Sequence, residues 1–438
     1  MFFQKDVETM SRPKLRELQL ERFKWAVRYA YDNVPFYKNK LDACKIDPDK
    51  IRELADIQHL PFTTKDDLKN HYPFGMFARP RNEIVRIHGS SGTTGKPTLV
   101  GFTKNDLETW SDLVARLAVM VGVTQQDIAQ ISFGYGLFTG GFGLHQGLTK
   151  IGAMVVPLSS GNTQRQLMLM KDLGVTVLIA TPSYAIYLAE KMKEEGNRDE
   201  YSLRVGMFGG EGCSAEFSEQ IEKNMGIIAT DNYGMSELIG PGVSGECIYR
   251  EGLHFAEDHF IPEIIDSETC EVRGEGESGE LIVTSLTKEA FPIIRYRTKD
   301  ITRLNYEPCK CGRTHVRMNK IMGRSDDMLI IKGVNVFPSQ IESAIVGLPE
   351  VGPHYMLFVH REGIMDSLEV QIELIDASAL ESYHTLKKIE EKIKDRLHSV
   401  LGLSAKVRLV EPKSLARFEG KAKRVVDLRD EKNVETEK

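Results

Sequence analysis

The spacing of apolar residues changes several times along the chain, and the changes divide it into elements. Behind Thr103, a good helix N-cap, Leu107, Trp110, Val114, Leu117 and Val121 recur at helical spacing. This predicts one helix packed on a core, with Trp110 inside that core. Short apolar runs at 128–133, 153–157, 176–181, 205–209 and 227–231 read as strands, and the stretches 163–173 and 215–224 read as helices between them. That alternation predicts an α/β fold with a parallel sheet. Near 325 the pattern shifts. Runs at 351–359 and 368–375 read as strands, the latter alternating as Leu368-Glu369-Val370-Gln371-Ile372-Glu373. Leu386, Ile389, Ile393, Leu397 and Val400 then mark a helix ending at Gly402, and 405–410 reads as another strand. The expected organisation is a large N-terminal α/β domain over 1–325 and a small C-terminal α+β domain over 326–438. They are joined at the polar, glycine-led Gly323-Arg324-Ser325-Asp326-Asp327. The first eighty residues, helical and charged, should form a lid or support layer.

Three polar clusters interrupt these elements. The run Gly89-Ser90-Ser91-Gly92-Thr93-Thr94-Gly95-Lys96-Pro97-Thr98 has the composition of a phosphate-wrapping loop. Its glycines let backbone N–H groups turn inward, hydroxyls add donors, and lysine adds a compact charge. It is not a Walker A loop, which needs glycine at 90 and a hydroxyl residue at 97, where the chain has Ser90 and Pro97. A polar surface turn is the competing reading. Gly209-Gly210-Glu211-Gly212 and Asp231-Asn232-Tyr233-Gly234-Met235-Ser236-Glu237 end two of the expected strands, where open α/β sheets place ligands. The second offers an aromatic face for a purine and a carboxylate, Glu237, suited to hold Mg²⁺ against phosphate. Alternatively, Ser236 caps a helix and Glu237 favours its dipole.

Bulk properties narrow the classes further. The 438 residues are 41% hydrophobic and 27% charged, enough for two sizeable cores. A net charge of −6, with no basic stripe, argues against nucleic acid as the main partner. Acidic charge comes early after Met1 and no apolar run approaches a membrane span, so a cytoplasmic protein without membrane partners is expected. The six cysteines lie far apart except Cys309 and Cys311, which suits reduced thiols and a metal better than disulfides. Two thiolates in a tight knuckle could bind structural Zn²⁺ with Cys247 and His254, His315 competing for the last position. Unconnected thiols and a surface histidine are the alternative.

In order along the chain, these segments resemble the adenylate-forming superfamily of acyl-CoA synthetases, luciferases and peptide synthetases, and within it the phenylacetate–CoA ligase family. The likeness is nearly full length. It is carried by 90–98, Phe133-Gly134-Tyr135-Gly136-Leu137-Phe138-Thr139-Gly140-Gly141, 233–237, Gly240-Pro241-Gly242-Val243 and Glu257-Asp258-His259-Phe260. Further on it is carried by Tyr296-Arg297-Thr298-Lys299-Asp300, 323–328, Gly333-Val334-Asn335-Val336-Phe337-Pro338 and Gly420-Lys421. The resemblance implies an AMP-forming ligase: a carboxylate attacks the α-phosphate of ATP, and coenzyme A then displaces AMP. It implies that Ser90, Ser91, Gly92, Thr93, Thr94, Gly95 and Lys96 hold the triphosphate, with Thr93 and Mg²⁺-bound Glu237 catalytic. Tyr233 would stack on adenine, Asp300 accept from the ribose hydroxyls and Arg324 lie beside them. Glu211, Asp231, Gly234, Met235 and Ser236 would complete the nucleotide site.

Lys421 would bridge carboxylate and α-phosphate, stabilising charge that develops in the transition state. Rotation about Asp326 would exchange it for Lys332 and Gly333, which admit the thiol arm. Tyr135, Phe138, Gly141, Phe142, Gly210 and Ile239 would enclose an aryl acid, with phenylacetate the best single expectation. Other arylacetates such as indoleacetate, or adenylation of a deazaflavin cofactor, are alternatives. The zinc knuckle belongs to a subset of the family, and a homodimer is the assembly it suggests. Two features depart from the superfamily pattern: Lys96 precedes Pro97 instead of a lysine following it, and Leu415-Ala416-Arg417-Phe418 loosens the lead into Lys421, leaving Lys423 as a possible deputy.

Overall fold

Five strands of the main sheet run parallel. From one edge they are Met154–Val156, Ile128–Ile131, Val177–Ala180, Val205–Gly209 and Ile228–Met235. These are the strands read from the apolar runs, parallel as expected, and the sheet then goes on beyond them. Gly240–Glu246, Leu253–Phe255, Arg317–Met318 and Leu304–Asn305 continue it antiparallel, for nine strands in all. The reason is local. Only residues 236–239 separate Ile228–Met235 from Gly240–Glu246, and a parallel crossover needs a dozen or more.

The computed structural model describes residues 1–90, 97–196, 198–331, 334–362, 365–418 and 422–429. Its contacts fall into two units. The first comprises Met1–Ala180, Asp199–Gly210 and Ile227–Lys320, and holds the nine-stranded sheet. Its helix Lys104–Met120 starts at a capping box in which Thr103 and Asp106 satisfy each other's backbone N–H. Trp110 is fully buried, as expected, and its indole N–H donates to the Pro241 carbonyl at 2.8 Å. The helix Gly140–Lys150 packs closely on it because Gly143 and Gly147 have no side chain. A Cβ there would stand 2.3 Å from Trp110 and 2.4 Å from Val114. A second, antiparallel sheet joins Phe260–Ile265, Gly279–Ser285 and Tyr296–Thr302.

The N-terminal residues form a support layer. Leu15, Phe23 and Val27 of the helix Arg12–Asn33 are fully buried, and Arg313 pairs with Glu8 at 2.6 Å. No helix among the described residues is long and apolar enough to cross a membrane.

The second unit groups the helices Pro182–Glu195 and Ala215–Met225 with the chain from Ile321 onward. Its sheet runs Lys406–Val410, Met365–Leu374, Val351–Glu362, Val425–Asp427. The helix Tyr383–Leu401 buries Ile389, Ile393, Leu397 and Leu401, and ends at Gly402 with φ +70°. Val400, read as part of the stripe, is 44% exposed because the buried face advances by fours to Leu401.

Candidate active site

The strand Ile228–Met235 runs four residues beyond the apolar run that foretold it. Tyr233, Gly234 and Met235 therefore sit on the strand itself and not in a loop after it. Gly234 is required there, since a Cβ would stand 1.8 Å from the Gly240 carbonyl oxygen. The Tyr233 hydroxyl donates to Asp300 Oδ2 at 2.6 Å, joining two residues 67 positions apart. No helix begins at Ser236. Its hydroxyl instead lies 3.2 Å from that of Thr139.

Glu237 is 3% exposed, and its carboxylate has no hydrogen-bond or ion-pair partner among the described residues. A buried, unpaired carboxylate is costly unless a cation is supplied. Asp231, on the strand Ile228–Met235, has its carboxyl pushed up to about 7 by burial, and its backbone N–H donates to Glu246 at 2.9 Å. Ser90 closes the neck of the glycine-rich loop, its N–H donating to the Thr98 carbonyl at 3.0 Å. Ser91, Gly92, Thr93, Thr94, Gly95 and Lys96 lie outside the described residues, as do Lys332, Gly333 and Lys421.

Three of the residues expected to enclose the acid come together. Tyr135 and Phe142 meet edge to face at 5.2 Å between centroids, and a Cβ on Gly141 would lie 3.4 Å from the Tyr135 ring. Burial raises the Tyr135 hydroxyl above its ordinary range, so it stays protonated and lies 3.2 Å from His145 Nδ1. Phe138 lies 6.4 Å from Phe133. Gly210 follows its strand with φ +83°, and Ile239 is 3% exposed.

In the second unit the Glu211 carboxylate accepts backbone N–H groups from Ser183 at 2.6 Å and Ala422 at 2.8 Å. Arg324 pairs with Asp326 at 2.9 Å.

Cys247, His254, Cys309 and Cys311 place their donor atoms within 4.8 Å of one another. Cys247 Sγ to Cys309 Sγ is 3.8 Å, and Cys311 Sγ to His254 Nε2 is 3.3 Å. Tetrahedral zinc with bonds of about 2.3 Å to sulfur sets edges of about 3.8 Å, so the donors suit that ion. A hydrogen bond from Cys247, then His254, draws the Cys311 thiol down, while the bond to Cys311 and burial push Cys247 up. His315 does not compete for the position. Its two ring nitrogens lie 3.0 Å from the Phe255 carbonyl and 3.1 Å from that of Val7, tying the N-terminal segment to a strand.

With this geometry in hand, similarity to known proteins decides the family. Residues 17–287 match the model for AMP-binding enzymes, and 333–429 match that for the AMP-binding enzyme C-terminal domain. A phenylacetate–coenzyme A ligase of Thermus thermophilus is 47% identical, over 98% of this chain and 100% of that protein. Another from Escherichia coli is 46% identical over 97% of each. The chain belongs to the phenylacetate–CoA ligase family of AMP-binding enzymes. Among solved structures, 2-hydroxyisobutyryl-CoA ligase in the postadenylation state with 2-HIB-AMP matches with a TM-score of 0.91 at 28% identity, covering 98% of this chain and 93% of that one.

Membership in this ligase family explains the order of the motifs, but not every residue around them. Sequence reasoning passed over Lys288, a buried lysine whose Nζ is 3.4 Å from the Glu237 carbonyl oxygen. Burial draws its ammonium down to about 8. The available signal was a lone lysine before the apolar run Ala290-Phe291-Pro292-Ile293-Ile294.

Proposed function

We propose that this chain activates phenylacetate with ATP, giving phenylacetyl-AMP and pyrophosphate, and then transfers the acyl group to coenzyme A. The carrying observation is the buried Glu237 carboxylate, without a partner among the described residues, on the turn that follows the strand carrying Tyr233 and its bond to Asp300, in a chain 44–47% identical to four phenylacetate–coenzyme A ligases. A cation bound at Glu237 would supply charge neutralisation at the phosphates, and Mg²⁺ suits a carboxylate donor of that kind. Tyr233 presents its ring to adenine, and Asp300 accepts from ribose hydroxyls. Tyr135, Phe142 and Gly141 form a largely apolar wall suited to an aryl ring. The loop 90–96, and Lys421 on a C-terminal domain from 326 hinged at Asp326, complete the adenylating site by family likeness. Zinc at Cys247, His254, Cys309 and Cys311 is structural, since those thiols tie strands together. Six free cysteines suit a reducing cytoplasm.

The reading predicts a split between half-reactions. Lys421→Ala should lower phenylacetyl-AMP formation by about 10²-fold or more, as loss of a group stabilising transition-state charge does. Thioester formation from supplied phenylacetyl-AMP should persist. Equal loss in both assays would refute the role given to Lys421.

A further inference from the structure

Lys288 carries a positive charge into the protein interior without a carboxylate to receive it. It is 4% exposed, and among the described residues no acidic oxygen lies within ion-pair distance of its Nζ. The ammonium donates to the Glu237 carbonyl oxygen at 3.4 Å. It lies over two aromatic faces, 4.6 Å from the Phe102 centroid and 5.6 Å from that of Phe291, where the ring quadrupoles attract a cation.

The backbone that carries it is held on both sides. The N–H groups of Glu289 and Ala290 donate to the two Asp106 carboxylate oxygens at 2.8 and 2.9 Å. The Glu289 carboxylate accepts from Thr103 Oγ1 at 2.8 Å and Asn105 Nδ2 at 3.1 Å. Lys288 is thus anchored to the start of the helix Lys104–Met120 and reaches from there to the turn 236–239.

Leucine or methionine would fill the same space without the cost of burying a charge. What only the ammonium supplies is a fixed positive charge beside Glu237, whose own carboxylate is buried and has no partner among the described residues. Asp106 and Glu237 are the two acidic groups whose charge acts on it. Asp106 is already satisfied by Glu289 and Ala290, whereas the Glu237 carboxylate has no hydrogen-bond or ion-pair partner among the described residues. We propose that Lys288 is a positioning residue for the metal–nucleotide site. Its ammonium pins the Glu237 turn by the carbonyl, and its fixed charge beside that turn holds the Glu237 carboxylate in place to meet a divalent cation bound to ATP. The proposal rests on the reading of Glu237 as the Mg²⁺ ligand.

The test titrates Mg²⁺ in phenylacetyl-AMP formation by the full chain, for the parent, Lys288→Met, Lys288→Gln, Lys288→Arg, Glu237→Gln and the Lys288→Met/Glu237→Gln double variant. Supporting residues behind a metal ligand typically affect metal affinity by 10- to 100-fold. Lys288→Met is therefore expected to raise the half-saturating Mg²⁺ by about that factor, with KM for phenylacetate and thioester formation from supplied phenylacetyl-AMP unchanged. Lys288→Gln, which keeps a donor but not the charge, should follow it, and Lys288→Arg should stay near the parent. The double variant should be no worse than Glu237→Gln alone. A parent-like Mg²⁺ requirement in either neutral variant, or an equal loss in both half-reactions, overturns the proposal. A parent-like requirement in Glu237→Gln overturns the reading of Glu237 itself, and the proposal with it.

Discussion

A tyrosine hydroxyl 2.6 Å from a carboxylate oxygen joins Tyr233 and Asp300, the pair proposed to meet the nucleotide. Tyr233→Phe keeps the ring and deletes only that donor, so Asp300 loses the group that fixes its orientation. A hydrogen bond to a charged acceptor is worth about 1.5–3 kcal/mol. KM for ATP should therefore rise about tenfold or more while melting temperature changes little, which initial-rate kinetics and a thermal scan would check. Sequence reasoning named Tyr233, Glu237 and Asp300 from their motifs, and the structure brings Tyr233 and Asp300 together and buries Glu237. That reasoning missed residues whose importance lies in what surrounds them. Nothing in the neighbours of Lys288 along the chain says that two phenylalanine rings and a carbonyl enclose it.

Among the elements, strands and helices with strong periodicity emerged near their expected bounds. Residues 205–209 and 163–173 became Val205–Gly209 and Thr163–Asp172. The five strands read from apolar runs alternating with helices are parallel as expected, but those runs carried no sign of the antiparallel continuation. The mixed sheet follows from a connection four residues long, and Tyr233–Met235 joined a strand through hairpin pairing with Gly240–Glu246 that periodicity does not encode. The knuckle was foreseen as a pair of thiols. Cys247 and His254 were named as its partners with His315 as competitor, and the pairing Gly245↔His254 and Arg317↔His254 shows how the strand carrying His254 is held. Since these donors join separate segments, metal analysis after purification without chelators should find a single zinc per chain. Cys309→Ser should lose it and melt at a lower temperature. Parent protein devoid of zinc would contradict the assignment.

Across the whole molecule, the first unit is tied by buried charge as well as apolar packing. Arg116 grips Asp258 through two hydrogen bonds of 2.8 and 2.9 Å, and His259 adds a contact at 3.1 Å. Burial alone would raise the Asp258 carboxyl, but His259 and then Arg116 outweigh it and hold it well below its usual range. A native value below the unfolded one of about 3.9 means full stabilisation above that pH, lost as pH falls through the native value. Asp258→Ala should cost about 3–5 kcal/mol at neutral pH, because Arg116 is left buried and unpaired. Its stability should also fall less steeply than the parent's below about pH 4, as denaturant titrations across pH would show.

Activation of phenylacetate by the whole chain is tested most directly by AMP release from ATP with phenylacetate, measured with and without coenzyme A. Phenylacetate-dependent AMP release that coenzyme A accelerates, with phenylacetyl-CoA formed in equal amount, is the expected result for this ligase. AMP release indifferent to coenzyme A, or absent with phenylacetate under both conditions, would contradict it.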